Sequence, residues 1–154
     1  MSIFNIKLCD FDESFLDLSY WWLKDEEINY LTNAGKQTKE DQLKWYESIK
    51  GRRDYLIWGV LCENNPIGVC GIKNIKEKTG EYFGYIGEKQ LWGRGLGKLM
   101  MKEIENWVKE QTNINVITLK VLKDNLIAIS LYSRMGYILI SEDERFLLMN
   151  KKIR

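Results

Sequence analysis

Trp92-Gly93-Arg94-Gly95-Leu96-Gly97-Lys98 alternates glycine with larger residues between a strand pattern and a helix pattern. Successive main-chain N–H groups in such a turn, continued by the free amides of a helix start, form a concavity suited to a pyrophosphate. Glycine lets the backbone approach phosphate oxygens without a Cβ in the way. Neither common phosphate loop is present. Gly97-Lys98 is followed by Leu99, where a P-loop needs a hydroxyl, and Met100 stands where a dinucleotide fingerprint needs its third glycine. Taken alone, the segment reads equally well as a tight turn.

What the chain lacks narrows the chemistry. Its 154 residues include no histidine, which removes imidazole acid–base catalysis, Ser-His-Asp and Cys-His systems and the commonest zinc ligand. The cysteines Cys9, Cys62 and Cys70 have no CxxC spacing, so they read as free thiols and no metal site is expected. Proton transfer then falls to carboxylate, tyrosine, lysine, backbone or water. Lys and Arg number 23 against 22 Asp and Glu, a net charge of +1, which excludes the basic excess of a nucleic-acid binder. Hydrophobic residues at 45% can supply a core, and the length fits one domain over residues 1–154. No apolar run approaches the roughly 18 residues of a membrane span, and Met1-Ser2-Ile3-Phe4-Asn5 shows no leader pattern. A single cytoplasmic domain without a membrane partner is expected.

The elements that must position the glycine segment follow from periodicity. Ile3 to Leu8 reads as a strand with Ile6 and Leu8 on one face. Asp12 caps a helix to about Leu23 with Phe15, Leu18 and Trp22 in its stripe, and a second helical piece runs from Glu26 to Leu31. Thr38-Lys39-Glu40-Asp41 is a capping box for a helix to about Lys50, with Leu43, Tyr46 and Ile49 inward. Tyr55–Cys62 and Ile67–Ile75 form a hairpin around Glu63-Asn64-Asn65-Pro66, and Glu81–Gly87 is a third strand. After the glycine segment a helix runs to Glu110 on the stripe Leu96, Met100, Ile104 and Trp107. Strand Asn115–Val121, helix Asn125–Met135 stopped by Gly136, and strands Tyr137–Ile140 and Arg145–Asn150 complete the chain. The order is β-α-α-β-β-β-α-β-α-β-β. Strand, glycine turn, helix and strand imply a local parallel crossover, so the class is α+β with a mixed sheet.

Two segments at matching separation carry a resemblance. Gly93-Arg94-Gly95-Leu96-Gly97 resembles the pyrophosphate loop of the Gcn5-related N-acetyltransferase (GNAT) superfamily, Arg/Gln-x-x-Gly-x-Gly/Ala. Asn125-Leu126-Ile127-Ala128-Ile129-Ser130-Leu131-Tyr132-Ser133-Arg134-Met135-Gly136-Tyr137 is similar to its second motif, N-x-x-A-x-x-x-Y-x-x-x-G-[FY]. With Gly95 and Gly97 in the glycine positions, Trp92 occupies the Arg/Gln position; Gln90-Leu91-Trp92-Gly93-Arg94-Gly95 also fits, and the later register is preferred because it starts the periodic helix. The Trp-Gly-Arg-Gly form, and the patterns around Trp22–Ile28 and Gln42–Tyr46, resemble the ribosomal-protein, small-amine and amino-sugar branch.

The resemblance implies a GNAT fold: a mostly antiparallel sheet of six or seven strands with a splayed parallel pair, flanked by about four helices. It implies acetyl-CoA as co-substrate, a primary amine as acceptor and direct attack in a ternary complex. Ile86 and Gly87 amides would polarise the acetyl carbonyl, with Gly84 and Gly87 fitting a bulge or a close ligand approach. The amides of Trp92, Gly93, Arg94, Gly95, Leu96, Gly97 and Lys98 would hold the diphosphate, and Asn125 would touch the pantetheine. Tyr132 is the implied general acid; Glu81 is the candidate base, with Glu88 as alternative. Trp21, Trp22 and Tyr85 are candidates for the acceptor wall. Asp25-Glu26-Glu27 offers carboxylates for a polycation, diluted by nearby lysines. The acceptor is expected to be a small amine, such as a nucleotide-linked amino sugar; a protein N-terminus and a non-catalytic acyl-CoA sensor stay open, as does a homodimer.

Overall fold

A computed structural model describes residues 4–154, so Ile3 of the first expected strand lies outside the described residues. The elements are β1 (Ile6–Asp10), α1 (Glu13–Trp22), α2 (Glu26–Thr32), α3 (Lys39–Ile49), β2 (Leu56–Cys62), β3 (Asn65–Lys76) and β4 (Thr79–Ile86). A 3-10 turn at Lys89–Leu91 leads to α4 (Leu96–Gln111), β5 (Val116–Leu122), α5 (Leu126–Arg134), β6 (Ile138–Glu142) and β7 (Phe146–Lys152). The strands make one sheet in the order β1-β2-β3-β4-β5-β7-β6. Among the described residues only β4 and β5 run parallel. This is the expected α+β fold with the sheet at seven strands, and five α-helices where about four were expected.

Local chemistry accounts for the boundaries. Asp12 accepts from Phe15 N at 3.1 Å, and Thr38 and Asp41 exchange both capping-box bonds. In α3 Ile49 is buried and Tyr46 packs against Phe11 as expected, but the inward place a turn earlier belongs to Gln42, 4% exposed, while Leu43 stands 52% exposed. The hairpin between β2 and β3 is tighter than expected. Glu63 and Asn64 both take positive φ, 50° and 65°, giving a two-residue turn, and Pro66 joins β3 opposite Leu61 beside a register shift.

The sheet has two covered faces. Tyr82, Ile72, Cys70, Ile117 and Leu119 pack under α4, with α5 contributing Ala128, Ile129 and Tyr132. Phe83, Tyr85 and Val69 meet Phe11, Phe15, Trp22 and Trp45 from the α1 and α3 side. Among the described residues no helix is long and apolar enough to cross a membrane.

Helix α5 ends in a two-bond stop: Tyr137 N donates to Tyr132 O at 3.0 Å and Gly136 N to Ser133 O at 3.1 Å. Gly136 takes φ +98°, which a side chain resists. Gly136→Ala should therefore destabilise the fold by about 1–2 kcal/mol, read as a lower urea midpoint at unchanged slope.

Candidate active site

The site is built on an interrupted strand pair. β4 and β5 pair only at Thr79–Val116, Gly80–Ile117 and Glu81–Thr118, after which they separate while β5 continues against β7. Gly87 N donates to Ile67 O at 2.7 Å, so β4 residues of odd number turn their main chain toward β3. Tyr82, Gly84 and Ile86 therefore direct theirs into the gap, in phase with Gly80, whose carbonyl meets Thr118 on β5. This corrects one expectation: the Gly87 amide is already used by β3, which leaves Ile86 and Gly84 as the donors facing the gap.

Within β4 the register on β3 is unbroken from Gly68–Ile86 to Lys73–Glu81. Just past it Gly87 N and Glu88 N both donate to Ile67 O, at 2.7 and 3.3 Å, so two residues oppose one of β3 in a bulge at the end of the gap. Gly84 and Gly87 also make room for aromatic side chains. A Cβ on Gly87 would lie 2.1 Å from the Trp22 indole, and one on Gly84 would lie 2.6 Å from the Tyr82 hydroxyl.

The turn that follows is shaped for an anion. Gly93 and Gly95 both take φ +79°, and a Cβ on either would meet nothing within 4 Å. Gly95 ends the turn as the residue before α4 and offers no side-chain cap, so the first-turn amides of that 16-residue helix face outward unsatisfied. Gly97 is helical, with Leu131 Cδ2 3.4 Å from its would-be Cβ. The conformational demand thus falls on Gly93 and Gly95, and a small residue at 97 serves the packing of α4 on α5. The Trp92 amide closes the 3-10 turn on Lys89 O at 3.0 Å, so the cradle begins at Gly93. The Trp92 side chain has its own task, donating from Nε1 to Ile86 O at 2.9 Å. Arg94 and Lys98 are exposed beside the open amides.

Tyr132 and Glu81 lie on opposite sides of the gap. Tyr132 sits half-buried on the α5 face, its ring 6.5 Å from that of Tyr82 and 6.1 Å from that of Tyr137. Burial pushes its phenol up to about 12. Glu81 shares the face of Phe83 and Tyr85 at the last paired position of β4, receives Asn74 Nδ2 at 3.2 Å and has Lys73 at 3.8 Å. Glu88 is engaged by Trp22 Nε1 at 2.8 Å. Asn125 caps α5 through Ala128 N at 3.3 Å.

Of the aromatic candidates for the acceptor wall, Trp22 and Tyr85 meet edge to face with ring centroids 6.3 Å apart, while Trp21 stands apart. Trp22, 7% exposed, is a pillar between α1 and the end of β4. Trp21 is 55% exposed and points away, in a surface cluster where Lys24 and Lys39 stand over its ring and that of Tyr20. The Tyr85 hydroxyl is sealed without a partner, near the buried Ser19, and burial raises its phenol.

Contacts across distant segments close the site, and no local sequence pattern announced them. Lys89 Nζ lies 3.2 Å from Asp25 and 2.9 Å from Glu27, which neutralises much of the acidic run at the start of α2. Tyr30 donates to Asp124, and Arg145 donates to Asn33 at 3.2 Å. Helix α2 is thereby tied to the β5–α5 junction and the β6–β7 turn, over an open cavity of about 250 Å³ lined by Tyr30, Leu122, Lys123, Asp124, Glu144 and Arg145.

The raised phenols have a signed consequence. A phenol held above its unfolded value of 10 contributes stability that is complete below pH 10 and is lost as pH rises through the folded value. Tyr132, and Tyr55, which burial also pushes up to about 12, should stay protonated across the working range. Ultraviolet titration near 295 nm should show no Tyr132 ionisation below about pH 11 when wild type and Tyr132→Phe are compared.

Comparison with known proteins places this architecture. The sequence profile described as the acetyltransferase (GNAT) family matches residues 10–137. The acetyltransferase PseH of Campylobacter jejuni is 27% identical over 144 residues, covering 92% of this chain and 90% of its own. The crystal structure of C. jejuni N-acetyltransferase PseH in complex with acetyl coenzyme A superposes with TM-score 0.77 at 24% identity, over 96% of this chain and 99% of the other. Spermidine N-acetyltransferase from Vibrio cholerae, in complex with CoA and spermine, superposes with TM-score 0.88 at 15% identity, over 96% and 95%.

Proposed function

The chain belongs to the acetyltransferase (GNAT) family, and from that premise we propose that it moves the acetyl group of acetyl-CoA to the primary amine of a small molecule. A single observation carries the reading: the strand pair opens beside a turn whose amides are free and whose two positive-φ glycines face open space. A coenzyme fits such a site. Amides from Gly93 to Lys98, with Arg94 and Lys98 alongside, would bind its diphosphate, and the outward main chain of Gly84 and Ile86 would hold the pantetheine and acetyl portion.

The donor supplies an acetyl thioester, whose carbon–sulfur bond breaks as the acceptor nitrogen bonds to the carbonyl carbon. The nitrogen gives up one proton and the sulfur takes one up. The Ile86 and Gly84 N–H groups stabilise the negative charge gathering on the carbonyl oxygen. Tyr132, protonated throughout, donates to the departing sulfur. Glu81, on the opposite face, receives the amine proton; Glu88 is a poorer candidate because the Trp22 indole already bonds it.

The acceptor is read from closure and charge. A peptide needs an open groove of strand width, whereas α2 is tied across this mouth through Tyr30–Asp124 and Asn33–Arg145. A polycation needs free carboxylates, whereas Lys89 occupies Asp25 and Glu27. A compact acceptor is favoured, with a nucleotide-linked amino sugar as the leading class; the cavity would offer its phosphates Arg145 and Lys123, beside the carboxylates of Asp124 and Glu144.

Calorimetry with acetyl-CoA and thiol-release assays across amino sugars, polyamines and peptide N-termini test the proposal. Acetyl-CoA should bind, sugar amines should turn over fastest, and Tyr132→Phe should lower kcat at least about tenfold with little change in acetyl-CoA affinity. No heat at millimolar acetyl-CoA overturns the transfer itself. Binding with silence on every amine favours the sensor reading, and fast peptide turnover removes the small-molecule assignment.

A further inference from the structure

Glu105 is buried to 5% exposure in the middle of α4, and the reaction described above gives it no part. Its Oε2 accepts from the Tyr137 hydroxyl at 2.8 Å and its Oε1 from Lys151 Nζ at 2.9 Å. The bonds join three elements: α4, the residue after the stop of α5, and β7. A carboxylate in such a place loses its hydration, and a well-packed apolar set would hold the same elements together at least as firmly. What the network adds is direction.

That direction bears on Tyr132. Tyr137 is 3% exposed and reaches Tyr132 in two ways. Its main-chain N–H caps the Tyr132 carbonyl at 3.0 Å, and its ring lies 6.1 Å from the Tyr132 ring. On its other side the Tyr132 ring meets Tyr82 edge-on. Aromatic packing fixes a ring plane but leaves the ring room to slide, whereas the bond to Glu105, a carboxylate itself held by Lys151, pins Tyr137 at its hydroxyl.

We propose that Glu105 is a positioning residue, which acts through Tyr137 to aim the Tyr132 phenol into the gap between β4 and β5. The inference rests on the reading of Tyr132 as proton donor. Lys151 belongs to the device as the counter-charge that allows the carboxylate to stay buried.

The test uses the full chain with acetyl-CoA and the fastest amine of the panel. Tyr137→Phe removes the hydroxyl while keeping the ring and the Glu105–Lys151 pair; Glu105→Gln removes the charge. Either variant should lower kcat about three- to tenfold, with acetyl-CoA affinity by calorimetry within about twofold of wild type. Combined with Tyr132→Phe, Tyr137→Phe should cost nothing further, because the group it aims is gone. With the 8 tyrosines carbon-13 labelled at Cζ, the signal lost in Tyr132→Phe should shift or broaden in Tyr137→Phe. Multiplicative losses in the double variant, or unchanged turnover with an unmoved Tyr132 signal, overturn the inference. If Glu105→Gln does not fold, Tyr137→Phe carries the test. Wild-type turnover in Tyr132→Phe sinks the donor reading instead, and the labelled signal then judges the placement by itself.

Discussion

Everything at this site depends on a parallel strand pair that holds for three residues and then lets go. Had β4 stayed bonded to β5 beyond Glu81, the outward groups of Tyr82, Gly84 and Ile86 would be spent on the ladder. The separation leaves them unpaired by β5 in the interior of a sheet, where main-chain polar groups normally find partners. The molecule tolerates this because the two strands are secured elsewhere, β4 by an unbroken register on β3 from Glu81 to Ile86 and β5 by seven residues paired with β7. Trp92 then satisfies one exposed group, the Ile86 carbonyl, with its indole N–H. The same indole therefore ties the glycine turn to the strand that borders the gap.

Charge at the mouth is arranged with equal economy. The run Asp25-Glu26-Glu27 looks like an acidic lip in the sequence, but Asp25 spends an oxygen on the amides of Glu27 and Ile28 as the cap of α2. Those bonds, first the one from Ile28, and then Lys89 hold its carboxyl below the usual range. Lys89 also stands 5.6 Å over the Trp92 ring. One cation thus joins α2 to the glycine turn and neutralises two of the three carboxylates of the run.

The fold was largely legible in the sequence because its elements are announced by local chemistry. Asp12, Thr38 and Asn125 cap helices where their short polar side chains predict, and Gly136 stops α5 where only a residue free of Cβ strain does so cheaply. The glycine turn was legible for the same reason. What was hidden lies in contacts between remote segments. Trp22 stood both in the inward stripe of α1 and among the candidates for the acceptor wall; the stripe foretold its packing, but not that its partner would be Gly87, 65 residues on. Leu43 looked inward by hydrophobicity, yet the buried place went to Gln42, whose amide reaches Gln37 and Ser19. The register of a helix is fixed by what it lands on, and α3 lands on a partly polar patch.

The elevated phenol of Tyr132 bears on what kind of acid it would be in the role we propose for it. A thiol of ordinary acidity ionises near 8.5, well below the value of about 12 to which burial pushes this phenol. Complete transfer from tyrosine to a free thiolate is therefore uphill, and a phenolate left behind in that setting would be poorly solvated. The favourable role is a hydrogen bond that strengthens as charge gathers on sulfur, with the proton moving only as the carbon–sulfur bond yields. Such a bond depends on alignment more than on acidity. Tyr132 has no charged neighbour to tune it, and burial alone accounts for its shift. What surrounds it instead is a set of rings and a capped carbonyl, which govern where the hydroxyl points. A donor of this kind is made effective by its mounting.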